Sequence, residues 1–294
     1  MSITILAALD DSPASLRAAR LLAGYRGDRH GLSLVALNVQ ARPFTLWPGP
    51  AIDPGKIEKA LLAEGELRLE PACKLLAAAG FEPERAVRLG IPAEFIADEA
   101  MRRGAAAIVM GTRGHGVLGG FALGSVALRV AHRAQAPVVL VQPDSVLPAA
   151  FGQSIRILVP LDGSAHATRA VNQLLAWKPW LGDTQLELVH IRSAPTVWEG
   201  LLPTDRELLD QWGTREGEQA TRDARALLHT AGVGHRLHEA EGDPSAQIVR
   251  LAGVLGSELI VMGTRGLGAV HHALIGSTAL KVAHASPVPV ALVA

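Results

Sequence analysis

Two glycine-rich segments of the chain carry residue types that can hold a phosphate group. Each segment has the spacing G-x2-G-x9-G-S, and the residues are Gly111, Gly114, Gly124 and Ser125, then Gly263, Gly266, Gly276 and Ser277. Glycine lets a backbone approach a ligand closely. Each serine begins a helical pattern, where free amide donors and the positive end of the helix dipole favour an anion. The segments therefore indicate two anion sites, and structural turns copied by duplication are the alternative.

An aspartate precedes each glycine segment by 101 residues (111 − 10 and 263 − 162). Asp10 and Asp162 each end the first strand pattern of their half. Parallel strands that are neighbours in a sheet bring their carboxyl ends to one crevice, so each aspartate is expected beside its glycines. A carboxylate there can accept a hydrogen bond from a ribose hydroxyl or an adenine amino group. Capping of the following helix, the other role for these aspartates, falls more naturally to Ser12 and Ser164.

The chain is a tandem repeat with an offset of 152 residues. Residues 3–12 (ITILAALDDS) match residues 155–164 (IRILVPLDGS), and 15 of the 25 residues in 108–132 are identical to their partners in 260–284. A repeat of this length among 294 residues indicates two domains of one fold. We place the domains at 1–143 and 154–294.

Each half alternates strand and helix patterns. Continuous apolar runs are typical of parallel strands covered on both faces, and Ser12-Pro13 supplies an N-cap and a first-turn proline. The first half is expected to hold strands at 3–9, 32–39, 84–89, 106–110 and 138–141, helices at 13–25, 57–79, 92–103 and 125–134, and a loop at 41–55. This order predicts an α/β protein with two tandem, doubly wound, five-stranded parallel-sheet domains of Rossmann-like form.

Composition excludes several function classes. The 28 basic and 28 acidic residues balance, so no overall field attracts nucleic acid or an anionic membrane. Aromatic residues are 4%, which disfavours base-stacking surfaces. No apolar run is long enough for a membrane helix, and the strand pattern at the N-terminus predicts no signal peptide. With a single cysteine, we expect a cytoplasmic protein with no nucleic-acid or membrane partner.

The strand-Asp start, the GxP segments at Gly90 and Gly242, and the duplicated glycine signature resemble the universal stress protein family, in its ATP-binding branch, over nearly the whole chain. The resemblance implies an adenine nucleotide alpha-hydrolase-like fold that holds ATP in one or both halves, with Mg²⁺ bridging the phosphates. It also implies a stress-response regulator that acts on an unidentified protein partner. Pairing through the last strands would make the chain an internal pseudo-dimer, and two chains could pair further as a homodimer.

The resemblance assigns nucleotide contacts at matching positions of the two halves. The aspartates would contact adenosine, the end of each second strand would meet adenine, the methionines would line the pocket, and the glycines and serines would hold ribose and phosphates. In the first half the residues are Asp10, Val39, Met110, Gly111, Gly114, Gly124, Ser125 and Val126. In the second half they are Pro160, Asp162, Ile191, Met262, Gly263, Gly266, Gly276, Ser277 and Thr278.

The first half departs from the family pattern around its aspartate. It has Ala8 and Asp11 where the second half has Pro160 and Gly163. A second carboxylate beside a site for a polyanion should weaken binding by about 1 kcal/mol in a partly wet cleft. We therefore expect the second site to bind more tightly.

Two other functions stay open on the sequence alone. One is a slow ATPase or phosphotransferase, although Leu123 stands where a P-loop has its lysine and no duplicated set of nucleophile and base is evident. The other is a nucleotide-free scaffold that works through protein contacts. We assign no catalytic residue and no metal ligand, and we expect at most weak ATP hydrolysis.

Overall fold

The chain divides into two compact units, Met1–Ser145 and Val146–Ala294. The computed structural model describes residues 3–42, 53–114, 123–192, 206–267 and 275–294, with the backbone alone described at Pro54, 206–214 and 216. Most of the loop predicted at 41–55 lies outside these residues.

The first unit is a parallel five-stranded sheet in the order β3-β2-β1-β4-β5. Its elements are β1 (Ile3–Ala8), α1 (Pro13–Ala23), β2 (Leu32–Gln40), α2 (Pro54–Ala78), β3 (Glu84–Leu89), α3 (Pro92–Arg102), β4 (Ala107–Gly111), α4 (Ser125–Arg133) and β5 (Val138–Val141). Each bound differs from the expected one by at most three residues, because the apolar runs and the helix caps mark the ends of these elements.

The second unit repeats the first, with the strand order β10-β9-β6-β7-β8. Its elements are β6 (Ser154–Pro160), α5 (Ala165–Leu181), β7 (Asp183–Arg192), α6 (Arg206–Thr230), β8 (His235–Glu241), α7 (Pro244–Val254), β9 (Leu259–Gly263), α8 (Ser277–Ala285) and β10 (Val290–Val293). The predicted fold class, α/β with two tandem Rossmann-like parallel-sheet domains, is confirmed.

The strand order of each unit creates a crevice at one edge of its sheet. In the first unit β1 pairs with β2 on one side and with β4 on the other. The sheet grows from β1 in both directions, to β2 on one side and to β4 on the other. The loops that follow β1 and β4 therefore diverge at the carboxyl ends of these two strands. The centre of the sheet is fully buried, as at Leu6 and Ile108, which fixes the strand ends that border the crevice. In the second unit β6 and β9 have the same relation.

A buried carboxylate on α3 of the first unit is held by arginines. The Glu99 side chain is 8% exposed, and it accepts hydrogen bonds from Nη2 of Arg102 at 2.6 Å and from Nε of Arg103 at 2.7 Å. The bonds from Arg102 and then Arg103 lower the pKa of Glu99 to about 2, although burial acts in the opposite direction. The second unit has Leu251 at the corresponding position, so an apolar residue fills the same place in the repeat.

Because of Glu99, we expect the free energy of unfolding of the first unit to be lower in acid than at neutral pH. Its folded pKa of about 2 lies below the unfolded value, so its contribution is complete above about pH 4.3 and is lost as the pH falls towards 2. The surrounding arginines are partly exposed, which limits this contribution to about 1–2 kcal/mol. Glu99→Leu should therefore flatten the free energy of urea unfolding between about pH 5 and pH 3. An acid slope equal to that of the wild type would contradict this prediction.

Candidate nucleotide site

A cavity of about 310 Å³ opens at the carboxyl ends of β1, β2 and β4 in the first unit. Its position is the crevice that the strand order creates. The wall contains all eight residues that the resemblance assigns in this half. They are Asp10, Val39, Met110, Gly111, Gly114, Gly124, Ser125 and Val126. Residues that lie up to 116 positions apart in the chain (126 − 10) are therefore brought to one surface.

The second unit has a corresponding cavity of about 410 Å³. Its wall contains all nine residues assigned in that half, which are Pro160, Asp162, Ile191, Met262, Gly263, Gly266, Gly276, Ser277 and Thr278. Both volumes lie in the range of sites for small organic ligands, about 300–1,000 Å³.

Hydrogen bonds fix the aspartate in each cavity. Oδ1 of Asp10 accepts from the amide of Ser12 at 3.0 Å, and Oδ1 of Asp162 accepts from the amide of Ser164 at 3.0 Å. Oδ2 of Asp162 also accepts from the amide of Leu267 at 3.1 Å. Each serine accepts a bond from the amide three residues later. The serines are thus the helix N-caps, as predicted, and the carboxylates are held at the cavity wall.

The second glycine of each segment lies directly against the aspartate. A Cβ on Gly114 would stand 2.8 Å from Oδ2 of Asp10, and a Cβ on Gly266 would come still closer to Oδ2 of Asp162. Real Cβ contacts are longer than this, so a side chain at either position would displace the carboxylate. The glycines are needed because the loop backbone and the carboxylate share one surface of the cavity.

The first glycine of each segment lies against the backbone of a helix. A Cβ on Gly111 would stand 2.7 Å from the carbonyl carbon of Ala14, and a Cβ on Gly263 would stand 2.7 Å from the carbonyl carbon of His166. The first turns of α1 and α5 therefore pack on the ends of β4 and β9. This close approach keeps the aspartate loop and the glycine segment together.

The third glycine of each segment is the N-cap of a helix that begins at the cavity. Gly124 and Gly276 have extended backbones and no side-chain cap bond. Their amides donate to the carbonyls of Thr112 and Thr264, both at 2.8 Å. The first amides of α4 and α8 can therefore donate to an anion, which the helix dipole also favours.

An arginine borders each cavity beside the glycine segment. Arg113 and Arg265 line the two walls, and their carbonyls accept hydrogen bonds from the hydroxyls of Ser12 at 3.2 Å and Ser164 at 3.4 Å. Nε of Arg265 is buried and has no hydrogen-bond partner within the described part of the chain. Both cavities therefore have a cationic residue in their wall.

His166 adds a titratable group to the surroundings of the second cavity. Burial lowers the pKa of His166 most, followed by the charges of Arg169 and Arg265, while Asp162 acts in the opposite direction. The first unit has Ala14 at this position. An anionic ligand in the second cavity would oppose these effects and raise the pKa of His166.

The charge expected to weaken the first site is partly neutralised. Asp11 lies outside the cavity wall, and its Oδ1 accepts a hydrogen bond from Nη1 of Arg68 on α2 at 3.1 Å. The corresponding residue, Gly163, has a φ of 80° and packs against Ala220, whereas Asp11 has no positive φ. The two loops thus differ in backbone as well as in charge. Tighter binding in the second cavity stays a prediction.

Sequence reasoning missed one wall of each cavity. Pro92 and Ile96 on α3 line the first, and Pro244 and Ile248 on α7 line the second. The repeat held a signal for them, because the residue types are identical at the offset of 152. These apolar residues line the same cavities as Val39 and Ile191 of the second strands.

A buried polar side chain also joins the second strand to the aspartate loop in each unit. Nδ2 of Asn38 donates to the carbonyl of Leu9 at 2.7 Å. Nδ1 of His190 lies 2.9 Å from the carbonyl of Leu161. Both residues are among those that line the cavities. No motif predicts them, since the two side chains differ in type.

Neither metal ligands nor a membrane helix is found in the described ranges. No three histidine, cysteine, aspartate or glutamate side chains are grouped there so as to hold a metal ion. No helix in these ranges combines the length and the apolar character that a membrane span requires.

Comparison with known proteins relates both halves to one family. The sequence profile of the Universal stress protein family matches residues 1–142 and 155–294. A universal stress protein of Mycolicibacterium smegmatis is 26% identical over 302 residues, which span 96% of this chain and 94% of the relative. One from Thermus aquaticus is 36% identical over 137 residues, 47% of this chain and 96% of its own.

Solved structures show the same fold over the full length. A universal stress protein from Archaeoglobus fulgidus is similar with a TM-score of 0.66 and 23% identity, and the match covers 99% of this chain and 95% of that one. One from Pseudomonas aeruginosa has a TM-score of 0.59 and 18% identity, over 99% and 92% of the two chains. Since the family profile covers both halves, the chain belongs to the universal stress protein family.

Proposed function

We propose that the protein is a stress-response regulator that binds ATP, or a closely related adenine nucleotide, in one or both cavities. The observation that carries this proposal is a combination found twice. In each unit, one crevice gathers a fixed aspartate, a glycine segment and a helix N-terminus without a side-chain cap. Structural turns alone would need the glycines, but they would not need an aspartate held against them.

The polar groups of the second cavity suit the ribose and the phosphates. Asp162 keeps lone pairs beyond its bonds to Ser164 and Leu267, so it can accept from a ribose hydroxyl. The first amides of α8 and the Ser277 hydroxyl can donate to phosphate oxygens, and Arg265 adds a positive charge. Mg²⁺ would enter with the nucleotide and bridge its phosphate oxygens.

The apolar groups of the second cavity suit the adenine ring. Ile191 lies near the end of β7, Met262 lies in β9, and Ile248 lies on the helix that closes this side. Backbone groups at the edge of such a cavity can hydrogen-bond the edge of a base while apolar side chains cover its faces. The first cavity offers Val39, Met110 and Ile96 in the same roles.

Regulation rather than catalysis is proposed because members of this family are generally regulatory. Binding would order the glycine segment and change the surface that a partner protein meets. In this proposal the partner is another protein, the halves pair through their last strands as an internal pseudo-dimer, and two chains can associate further as a homodimer.

The first test identifies what the purified protein carries. Protein prepared without added nucleotide is denatured by heat, and the released small molecules are identified by chromatography and mass spectrometry. We expect ATP or ADP, one equivalent for each occupied cavity, and a higher melting temperature on addition of millimolar Mg-ATP, because a ligand that binds only the folded state stabilises it.

The alternatives give different results in the same assay. No released nucleotide together with no thermal shift would refute the proposal and leave the nucleotide-free scaffold. Phosphate release well above a protein-free control, and lost in the Asp10→Ala, Asp162→Ala double variant, would instead favour the slow ATPase.

A further inference from the structure

A chain of buried polar groups leads from the first cavity to the segment after β5. Thr112 lines the cavity, and its Oγ1 donates to Oε1 of Gln142 at 3.1 Å. The backbone amide of Gln142 donates to Oγ of Ser145 at 3.0 Å. Nε of Arg17 on α1 donates to the carbonyl of Ser145 at 2.8 Å. Residues 142–145, which we name the β5 exit segment, are thus tied to the cavity wall.

Thr112 is the point where this chain meets the anion-binding end of α4. Its amide donates to the carbonyl of Val141 at 3.0 Å, and its carbonyl accepts from the amide of Gly124 at 2.8 Å. One residue therefore contacts the start of α4, the end of β5 and, through its hydroxyl, Gln142. A ligand that holds the start of α4 in place would also hold Thr112.

The three residues that form this chain of hydrogen bonds are all buried. Thr112 is 1% exposed, Gln142 is 7% exposed and Ser145 is 1% exposed. A buried polar group that loses its partner is strongly disfavoured, and hydrogen bonds in a connected chain strengthen one another. A shift at either end of the chain is therefore expected to disturb the other end.

The second unit has the same backbone hydrogen bonds at its cavity but lacks the side-chain hydrogen bond. The amide of Thr264 donates to the carbonyl of Val293 at 2.8 Å, and its carbonyl accepts from the amide of Gly276 at 2.8 Å. The residue that corresponds to Gln142 is Ala294 (294 − 142 = 152), which has no side-chain amide. The second cavity thus serves as an internal control for the role of Gln142.

We propose that Gln142 is a positioning residue that couples ligand occupancy of the first cavity to the order of the β5 exit segment. This inference rests on the proposed function, since it needs a ligand in that cavity. An anionic ligand at α4 holds Gly124 and Thr112, and the Thr112 hydroxyl then holds Gln142 and the exit segment. Coupling is reciprocal, so loosening the exit segment weakens binding in the first cavity. The segment that leads into the second unit therefore reports the state of the first cavity.

Hydrogen exchange of the full-length protein, read by mass spectrometry with and without Mg-ATP, tests this coupling. Mg-ATP should slow exchange of the amides at 142–146 by about fivefold or more in the wild type. In Gln142→Leu this slowing should disappear, and affinity in the first cavity should fall by about five- to tenfold. Protection at the start of α8 in the second unit should stay unchanged. Gln142→Met, which is similar in length but has no acceptor oxygen for the Thr112 hydroxyl, should lose the slowing in the same way.

The outcomes separate this inference from the proposed function. Protection at the start of α4 with no change at 142–146 in the wild type would overturn the coupling and leave nucleotide binding intact. Equal loss of affinity in both cavities of Gln142→Leu would also overturn it, because a general loss of stability would then be the cause. Absence of ligand protection in both cavities would refute both proposals, and protection in the second cavity alone would overturn the coupling and leave the proposed function intact. If Gln142→Leu does not fold, hydrogen exchange of the wild type with and without Mg-ATP still decides whether residues 142–146 respond to a ligand in the first cavity.

Discussion

Gly266→Ala is expected to weaken nucleotide binding in the second cavity by about ten- to a hundredfold. The new Cβ would collide with Oδ2 of Asp162, which accepts a hydrogen bond from the amide of Leu267. The carboxylate must then turn away from its position in the cavity wall. A hydrogen bond to a charged group contributes about 1.5–3 kcal/mol, and each 1.4 kcal/mol is about tenfold in affinity. Isothermal titration of the full chain with Mg-ATP measures both the affinity and the number of sites.

Two further glycine variants are the matched controls for this experiment. Gly114→Ala places a Cβ against Asp10, so it should weaken binding in the first cavity and leave the affinity of the second unchanged. Gly253→Ala, on α7, places a Cβ where no atom lies within 4 Å, so binding should stay as in the wild type. Wild-type affinity of Gly266→Ala in the second cavity would show that the aspartate and the glycine segment do not form a ligand site.

Gly263→Ala is expected to lower the free energy of unfolding by about 1–3 kcal/mol. A Cβ at this position would stand 2.6 Å from Cβ of His166 and 2.7 Å from its carbonyl carbon. These atoms belong to the first turn of α5, so relief requires α5 to move away from the end of β9. Such overpacking in a well-packed interior forces backbone shifts. Urea unfolding followed by circular dichroism measures the loss.

The same substitution elsewhere separates packing from a general effect of alanine. Gly111→Ala should cost a similar amount, because its Cβ would meet the backbone of Ala14 at 2.7 Å. Gly253→Ala should raise stability by up to about 1 kcal/mol, since glycine inside a helix is unfavourable and this Cβ meets nothing. Equal stability of Gly263→Ala and the wild type would contradict the close packing of α5 on β9.

The fold could be predicted from the sequence because its determinants are local. A parallel strand covered on both faces must be apolar along its length, and Leu6 and Ile108 are fully buried in such strands. Ser12 and Ser164 mark the helix starts because a side chain must satisfy the first free amides. The repeat then extended each inference from one half to the other.

The candidate site could be predicted in part because of how parallel sheets are built. Loops that follow neighbouring strands must meet at one edge, so the positions of Asp10 and the glycine segment along the chain were sufficient to expect them together. The walls from α3 and α7 were missed because apolar residues such as Ile96 and Ile248 have the same appearance in sequence whether they line a cavity or fill a core.

Charge pairing could not be predicted from the sequence. Asp11 and Arg68 are 57 residues apart, on the loop after β1 and on α2, and only the packing of helices brings them to 3.1 Å. Two groups distant in sequence have no periodic relation, so the neutralisation of Asp11 depends on tertiary structure. The expected weakness of the first cavity therefore depends on how much of that carboxylate charge Arg68 compensates.

The sequence by itself determined the repeat, the order of strands and helices, and the residues that reach the two crevices, because each of these depends on local spacing and on the rules of parallel sheets. Tertiary structure decided which side chains touch there. Gly266 is confined by Asp162, and Thr112 bonds Gln142 across 30 residues in the first unit, where the second unit has Ala294. Such contacts depend on distances between separate elements, and those distances are set only when the whole unit packs.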